Sequence, residues 1–216
     1  MAPPLAGSSL VLHALRLTGM TGGGRLAGAT GLGDAEVRAA LDELAAVGHV
    51  EHHQGTFGGW AATPLGTQAD DAALAAELEA TRSQASVEQA YRSFLALNPE
   101  LLSACTDWQL VVDDAGVHRA NDHTDEAYDA SVVARLVDID RRAQPVLTSL
   151  TTSLARFEPY RRRLRLALDH VRSGESDWFT GPLFDSYHTV WFELHQDLLH
   201  TLGLDRGSEH GERGAS

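Results

Sequence analysis

The side chains best suited to chemistry lie towards the C-terminal end of the chain. His188 and His195 are seven positions apart, so on a helix they point nearly the same way, two turns apart. Asp185 stands three positions before His188, close enough on a helix to touch it. A second polar set, Asp122-His123-Thr-Asp125 with Tyr128 and Asp129, gathers carboxylates, an imidazole and a phenol into a short stretch. An imidazole oriented by a carboxylate can move protons, and His with Asp can also hold a hydrolytic metal. Asp122, His123, Asp185, His188 and His195 are therefore the candidate catalytic groups. No helix pairs two histidines at i, i+4 around a glutamate, so neither a metal nor a cofactor is assigned. The plainer alternatives stay open: two core histidines, and a solvated acidic loop. Cys105, on an apolar stripe one turn from Trp108, reads as core.

Those groups need a scaffold. Leu183, Tyr187, Val190, Leu194 and Leu198 form one apolar stripe; Phe184, His188, Trp191 with Phe192, His195 and Leu199 form a second beside it. A helix apolar over so much of its circumference belongs at the centre of a bundle. Its expected bounds are Gly181-Pro182 and Gly203. Ligand sites are mostly apolar with a few polar groups, so Trp108, Tyr128, Trp178, Phe179, Tyr187, His188, Trp191 and His195 are the candidate pocket lining.

The rest of the chain past Gly66 is patterned as helix almost throughout. A long alanine-rich connector, one helix or two, runs from Thr67 to Leu97 and should stop at Asn98-Pro99; another covers Glu100 to Val112. The polar stretch 113–125 reads as a loop. Two further helical sets flank Pro145, which should break or kink them, and Pro159 fits the first turn of the next helix. The arginines Arg156, Arg161, Arg162, Arg163 and Arg165 offer forks for carboxylate or phosphate. In so acidic a chain they should pair with surface Asp and Glu, within the chain or across domains or subunits. The tail 206–216 reads as disordered.

The N-terminal part has a different order of elements. A short apolar helix carries Leu10, His13, Ala14 and Leu17; a second helix and turn follow in Arg25 to Gly33. A third helix has Val37, Leu41 and Leu44 on one face, with Asp34 as its expected N-cap and Gly48 closing it. The segments 49–54 and 60–63 then flank the glycine-rich tip Gly55-Thr-Phe-Gly-Gly59, a hairpin signature. This stretch resembles the winged helix-turn-helix of MarR- and PadR-type regulators, through Leu26-Ala27, Thr30-Gly31-Leu32, Val37 with Leu41, Leu44 and Gly48, and Thr63-Pro64-Leu65-Gly66. The resemblance implies a homodimer that places its third helix in the DNA major groove, with Arg25 and Arg38 as the DNA-binding residues. Over nearly its whole length the chain also resembles an uncharacterised actinobacterial winged-helix and helical module seen with phosphoenolpyruvate-utilising enzymes. The residues behind this are 106–110, 121–125, Tyr128-Asp129 and Trp178-Phe-Thr-Gly-Pro182 continued to His195.

The expected architecture is mainly α: a winged helix over 1–66, made of three helices plus a β-hairpin, and an all-α bundle over 67–205. Charge tempers the DNA expectation. In 1–66, Arg16, Arg25 and Arg38 face Asp34, Glu36, Asp42, Glu43 and Glu51, whereas a DNA-binding protein typically makes roughly 6–10 phosphate contacts. The whole chain of 216 residues carries −13, which argues against nonspecific nucleic-acid or anionic-membrane binding. One cysteine excludes an intrachain disulfide, and neither a membrane span nor a signal pattern is visible, so a cytoplasmic location is expected. The function expected first is a ligand-responsive transcriptional regulator with a small-molecule ligand. The alternatives are a regulatory or scaffolding module that binds protein, and a small-molecule enzyme using the His/Asp groups.

Overall fold

A computed structural model describes residues 5, 7–55, 58–112 and 116–204. The tail expectation, and parts of the hairpin tip and polar loop, lie outside these residues. The described chain is mainly helical, with two small two-stranded antiparallel sheets. Helix α1 (Gly7–Thr18) turns Val11, Leu12, Ala14 and Leu15 inward; α2 (Gly23–Thr30) contributes Leu26, and α3 (Asp34–Ala46) contributes Val37, Ala40, Leu41 and Leu44. Strands β1 (Val50–His53) and β2 (Gly59–Ala62) pair with Val50 opposite Ala62, and Thr21 bridges to Trp60 on the other side of β2. Together these side chains, with Val50, make one apolar cluster.

Two glycines make this part possible. Gly48 sits at φ 74, which lets its N–H and that of His49 return to the carbonyls of Ala45 and Leu44 and close α3. A Cβ on Gly66 would meet the His49 carbonyl oxygen at 2.0 Å, so only glycine fits there. The N-cap of α3 is Gly33, whose N–H donates to the Glu36 carboxylate; Asp34, expected as the cap, is the first helical residue. Glu36 reaches back and satisfies the exposed amide in its place.

Helix α4 (Pro64–Thr81) is capped by Thr63 and ends at Arg82, which adopts φ 55. Helix α5 (Gln84–Gln109) runs through Pro99 without ending at Asn98, contrary to expectation. Helix α6 (Glu126–Ser153) likewise continues through Pro145 as one element. Each proline forfeits one backbone hydrogen bond, at about 3 kcal/mol. Burial of Phe94, Leu97, Leu101 and Ala104 on α5, and of Ala143, Val146, Leu147 and Leu150 on α6, holds both helices together across that fault. Between them lies a hairpin, β3 (Leu110–Val112) with β4 (His118–Ala120), so the second part is not purely helical and its polar stretch is not all loop.

The chain then makes a short 3₁₀ turn (Ala155–Phe157), α7 (Glu158–Arg172), the single-turn α8 (Asp177–Thr180) and α9 (Tyr187–Leu202). Ser186 caps α9 by accepting from the Thr189 N–H, so the helix begins after Gly181-Pro182, where it was expected. Leu183, assigned to the first stripe, consequently lies before the helix and is 90 % exposed. Tyr187, Val190, Trp191, Leu194, Leu198 and Leu199 are buried, and α9 touches α1, α4, α5, α7 and α8. It is the central helix. A second apolar cluster surrounds it, from Leu78 to Leu199.

Candidate functional site

The most concentrated polar chemistry lies where α1 and α4 meet α9 and the 3₁₀ turn. His13 is 4 % exposed on the apolar face of α1. Its Nδ1 is 3.0 Å from Asp70 Oδ2 on α4, and its Nε2 is 3.1 Å from Asp197 Oδ1 on α9. Carboxylate oxygens only accept, so this pair of neighbours favours the imidazolium, the one form of the ring that can donate to both. Burial by itself would lower the His13 pKa, but the Asp197 charge and the hydrogen bonds to Asp197 and Asp70 outweigh it and nearby Arg156. The net direction is up from 6.5.

Each carboxylate has further partners. Asp70 Oδ2 also accepts from Arg16, whose guanidinium reaches Asp71 as well. Asp197, 2 % exposed, accepts from Arg156 and from the Tyr160 hydroxyl at 2.9 Å. Burial opposes ionisation of Asp197, yet Arg156 and His13 hold its carboxyl far below the usual range. Arg156 completes its fork with Glu77 of α4 at 2.7 Å and Thr201 of α9. One turn back along α9, Glu193 joins Arg163 of α7 at 2.6 Å and Arg25 of α2 at 2.7 Å. Glu193, Asp197 and Thr201 thus share one buried face of a helix that is otherwise apolar inside.

Beside this network is a cavity of about 30 Å³ lined by His13, Thr30, Arg156, Tyr160, Glu193 and Asp197, among others. That suffices for a water or two and for nothing larger. It shares Leu10, Thr30 and Arg156 with an open groove of about 400 Å³ between the N-terminal helices and α7, floored by Gly31, Ala155 and Pro159 and edged by Arg162 and Glu158.

The residues singled out from sequence are placed elsewhere. His123 adopts φ 58, donates from Nδ1 to the Asp129 carboxylate at 2.9 Å, and lies over Trp108, with ring centres 4.5 Å apart. Trp108 stacks in turn on Phe179, and the Tyr128 hydroxyl donates to the Asp107 carbonyl. Asp122 accepts from Thr124, and Asp125 caps α6. Asp185 does not serve His188 in the way its spacing suggested: both its oxygens accept from Arg163 at 3.0 Å. His188 is half-buried, which lowers its pKa. His195 sits beside the rings of Phe94 and Tyr91, Trp191 stacks on Phe94 and donates to Asn98, and the Tyr187 hydroxyl donates to Asp140. Trp178 stacks on His170. Five cavities among the described residues are all lined by other side chains than the expected pocket set. Among the described residues no group of three or more His, Cys, Asp or Glu is arranged to hold a metal ion. Cys105 is buried, and its thiol is pushed up to about 12 by desolvation.

The N-terminal arginines are also redirected. Arg16 and Arg25 turn to Asp70, Asp71 and Glu193, while Arg38 remains exposed on α3 among exposed Asp34, Glu36, Asp42 and Glu43. Arg156 and Arg163 do pair with acids, as charge balance suggested, but in the interior. The network itself was missed. Its traces were Glu193 and Asp197 at i, i+4 on an apolar helix, and His13 on the apolar stripe of α1.

The chain matches no known family model, curated protein or solved structure.

Proposed function

We propose that this chain is a regulatory protein whose N-terminal winged helix, seated on its own helical domain, works by binding protein. The order α1-α2-α3-β1-β2, with Thr21 adding a bridge to β2, supports the winged-helix reading of 1–66. The single observation that carries the choice of partner is the fate of the arginines. Arg16 and Arg25, two of the three in that segment, neutralise carboxylates of the chain itself, and the exposed face of α3 holds four acids against Arg38. Such a face repels phosphate, whereas DNA affinity depends on neutralising it. Fluorescence anisotropy on genomic DNA fragments at low salt tests this. No sequence-specific binding at micromolar protein is the expected result. A specific complex, with Arg38→Ala reducing its salt slope by about one, would overturn it.

A second reading, the ligand-responsive transcriptional regulator acting as a homodimer, is favoured by the groove of about 400 Å³ between the N-terminal helices and α7. A small molecule there would touch both parts at once and alter how they sit. The enzyme reading, with Asp122, His123, Asp185, His188 and His195, gains no comparable support, because Asp122 and Asp185 are engaged by Thr124 and Arg163.

A further inference from the structure

We propose that the proton on His13 is a latch: with it, α1 is clamped between α4 and α9; without it, the clamp opens and the N-terminal helices loosen from the helical domain. The inference concerns how the two parts are held, whatever the N-terminal part binds. It stands on placement. His13 is buried and is the group through which α1 reaches both Asp70 on α4 and Asp197 on α9 with one side chain.

The charges facing it come from every element packed around it. From α4 there is Asp70, with Glu77 behind Arg156; from α9 there are Asp197 and the edge of His200, whose ring centre is 6.4 Å away. The 3₁₀ turn supplies Arg156, α1 itself supplies Arg16, and α7 supplies the Tyr160 hydroxyl on the far oxygen of Asp197. With His13 charged, Asp70, Asp71, Asp197 and Glu77 face two guanidinium groups and an imidazolium. With His13 neutral, the same four carboxylates face two cations, and one ring nitrogen presents a lone pair to a carboxylate oxygen inside the protein. The lone pair and the carboxylate oxygen then repel, and only a long 3.4 Å contact from Arg156 or a water in the adjoining cavity can take the place of the lost charged hydrogen bond.

The direction of the linkage follows. The folded-state pKa of His13 lies above its unfolded value of 6.5, so the clamp is complete below about pH 6.5 and is lost as pH rises through the folded-state value. His200 acts oppositely: burial, first of all, holds it below 6.5, so it favours the fold above that pH. The latch must therefore be read locally, at α1, where the sum over all histidines does not hide it.

Hydrogen–deuterium exchange of the full chain between pH 6 and 9, corrected for intrinsic rates, gives that local readout. Protection of amides in α1 should fall by about tenfold or more across the His13 titration, the scale of one lost buried hydrogen bond to a charged group, while α5 and α6 keep theirs. Asp70→Asn should move the fall to lower pH, and His13→Gln should abolish its pH dependence. Protection of α1 that stays flat to pH 9 would overturn the proposal. So would a fall shared equally by α1, α5 and α6, or an unchanged α1-specific fall in His13→Gln.

Discussion

Asp197 shows how much of this molecule depends on single buried charges. It meets His13, Arg156, Tyr160 and Thr201 at once, from four separate elements. Removing one member of such a set leaves the others charged, buried and unmatched. Asp197→Ala is therefore expected to destabilise the protein by about 3–5 kcal/mol in urea or guanidinium unfolding. A loss under 1 kcal/mol would mean the network is hydrated in solution. Arg142 offers the contrast: it pairs with Glu100 and Asp138 at the exposed surface, where solvent screens the attraction. Arg142→Ala should be nearly silent in the same experiment.

Among the elements, α9 and α5 carry the sharpest expectations. Trp191 is buried, stacked on Phe94 and bonded through its indole N–H to Asn98 of α5. Trp191→Ala should cost about 3–5 kcal/mol, from the cavity and the orphaned amide together. If that variant melts like the parent, α9 is not the central helix. The neighbouring Pro99 is exposed within α5 and cannot donate to the preceding turn. Pro99→Ala restores that donor and should raise stability, by up to about 3 kcal/mol. A decrease would show that α5 is bent there for a reason of packing. The error in reading Asn98-Pro99 as a stop has the same origin: helix rules are local, and the apolar faces on either side of the proline outweighed the local penalty.

At the scale of the whole molecule, stability should pass through a maximum near neutrality. On the acid side, His188 and His200, held below 6.5 chiefly by burial, lose their contribution as pH falls through that region. Asp70 and Asp197, both held below 3.8 by their cationic partners against the cost of burial, lose theirs as pH falls further. On the alkaline side the His13 contribution declines. Thermal melts from pH 3 to 9 check the shape; His13→Gln should flatten the alkaline limb and, because His13 also helps keep Asp70 and Asp197 ionised, start the acid loss at higher pH. No helix among the described residues is long and apolar enough to cross a membrane.

What the chain determined by itself is the part of the fold that rests on neighbours in sequence. The i, i+4 and i+7 pattern of Val37, Leu41 and Leu44, the left-handed Gly48 and Gly203, and the stripe from Tyr187 to Leu198 were all legible, because periodicity and caps act over a few residues. The hairpin β3–β4 was not legible, since three-residue strands offer too little alternation to separate them from a loop. Only the tertiary structure decided where the charges went. Nothing in the order of residues brings His13 to Asp197, or Arg25 to Glu193, across most of the chain. A polar side chain on an apolar face reads the same whether it is a misfit or half of a pair. The answer depends on which opposite charge the packing of α1, α4, α7 and α9 delivers to it, because a charge can stay buried only where its partner arrives too.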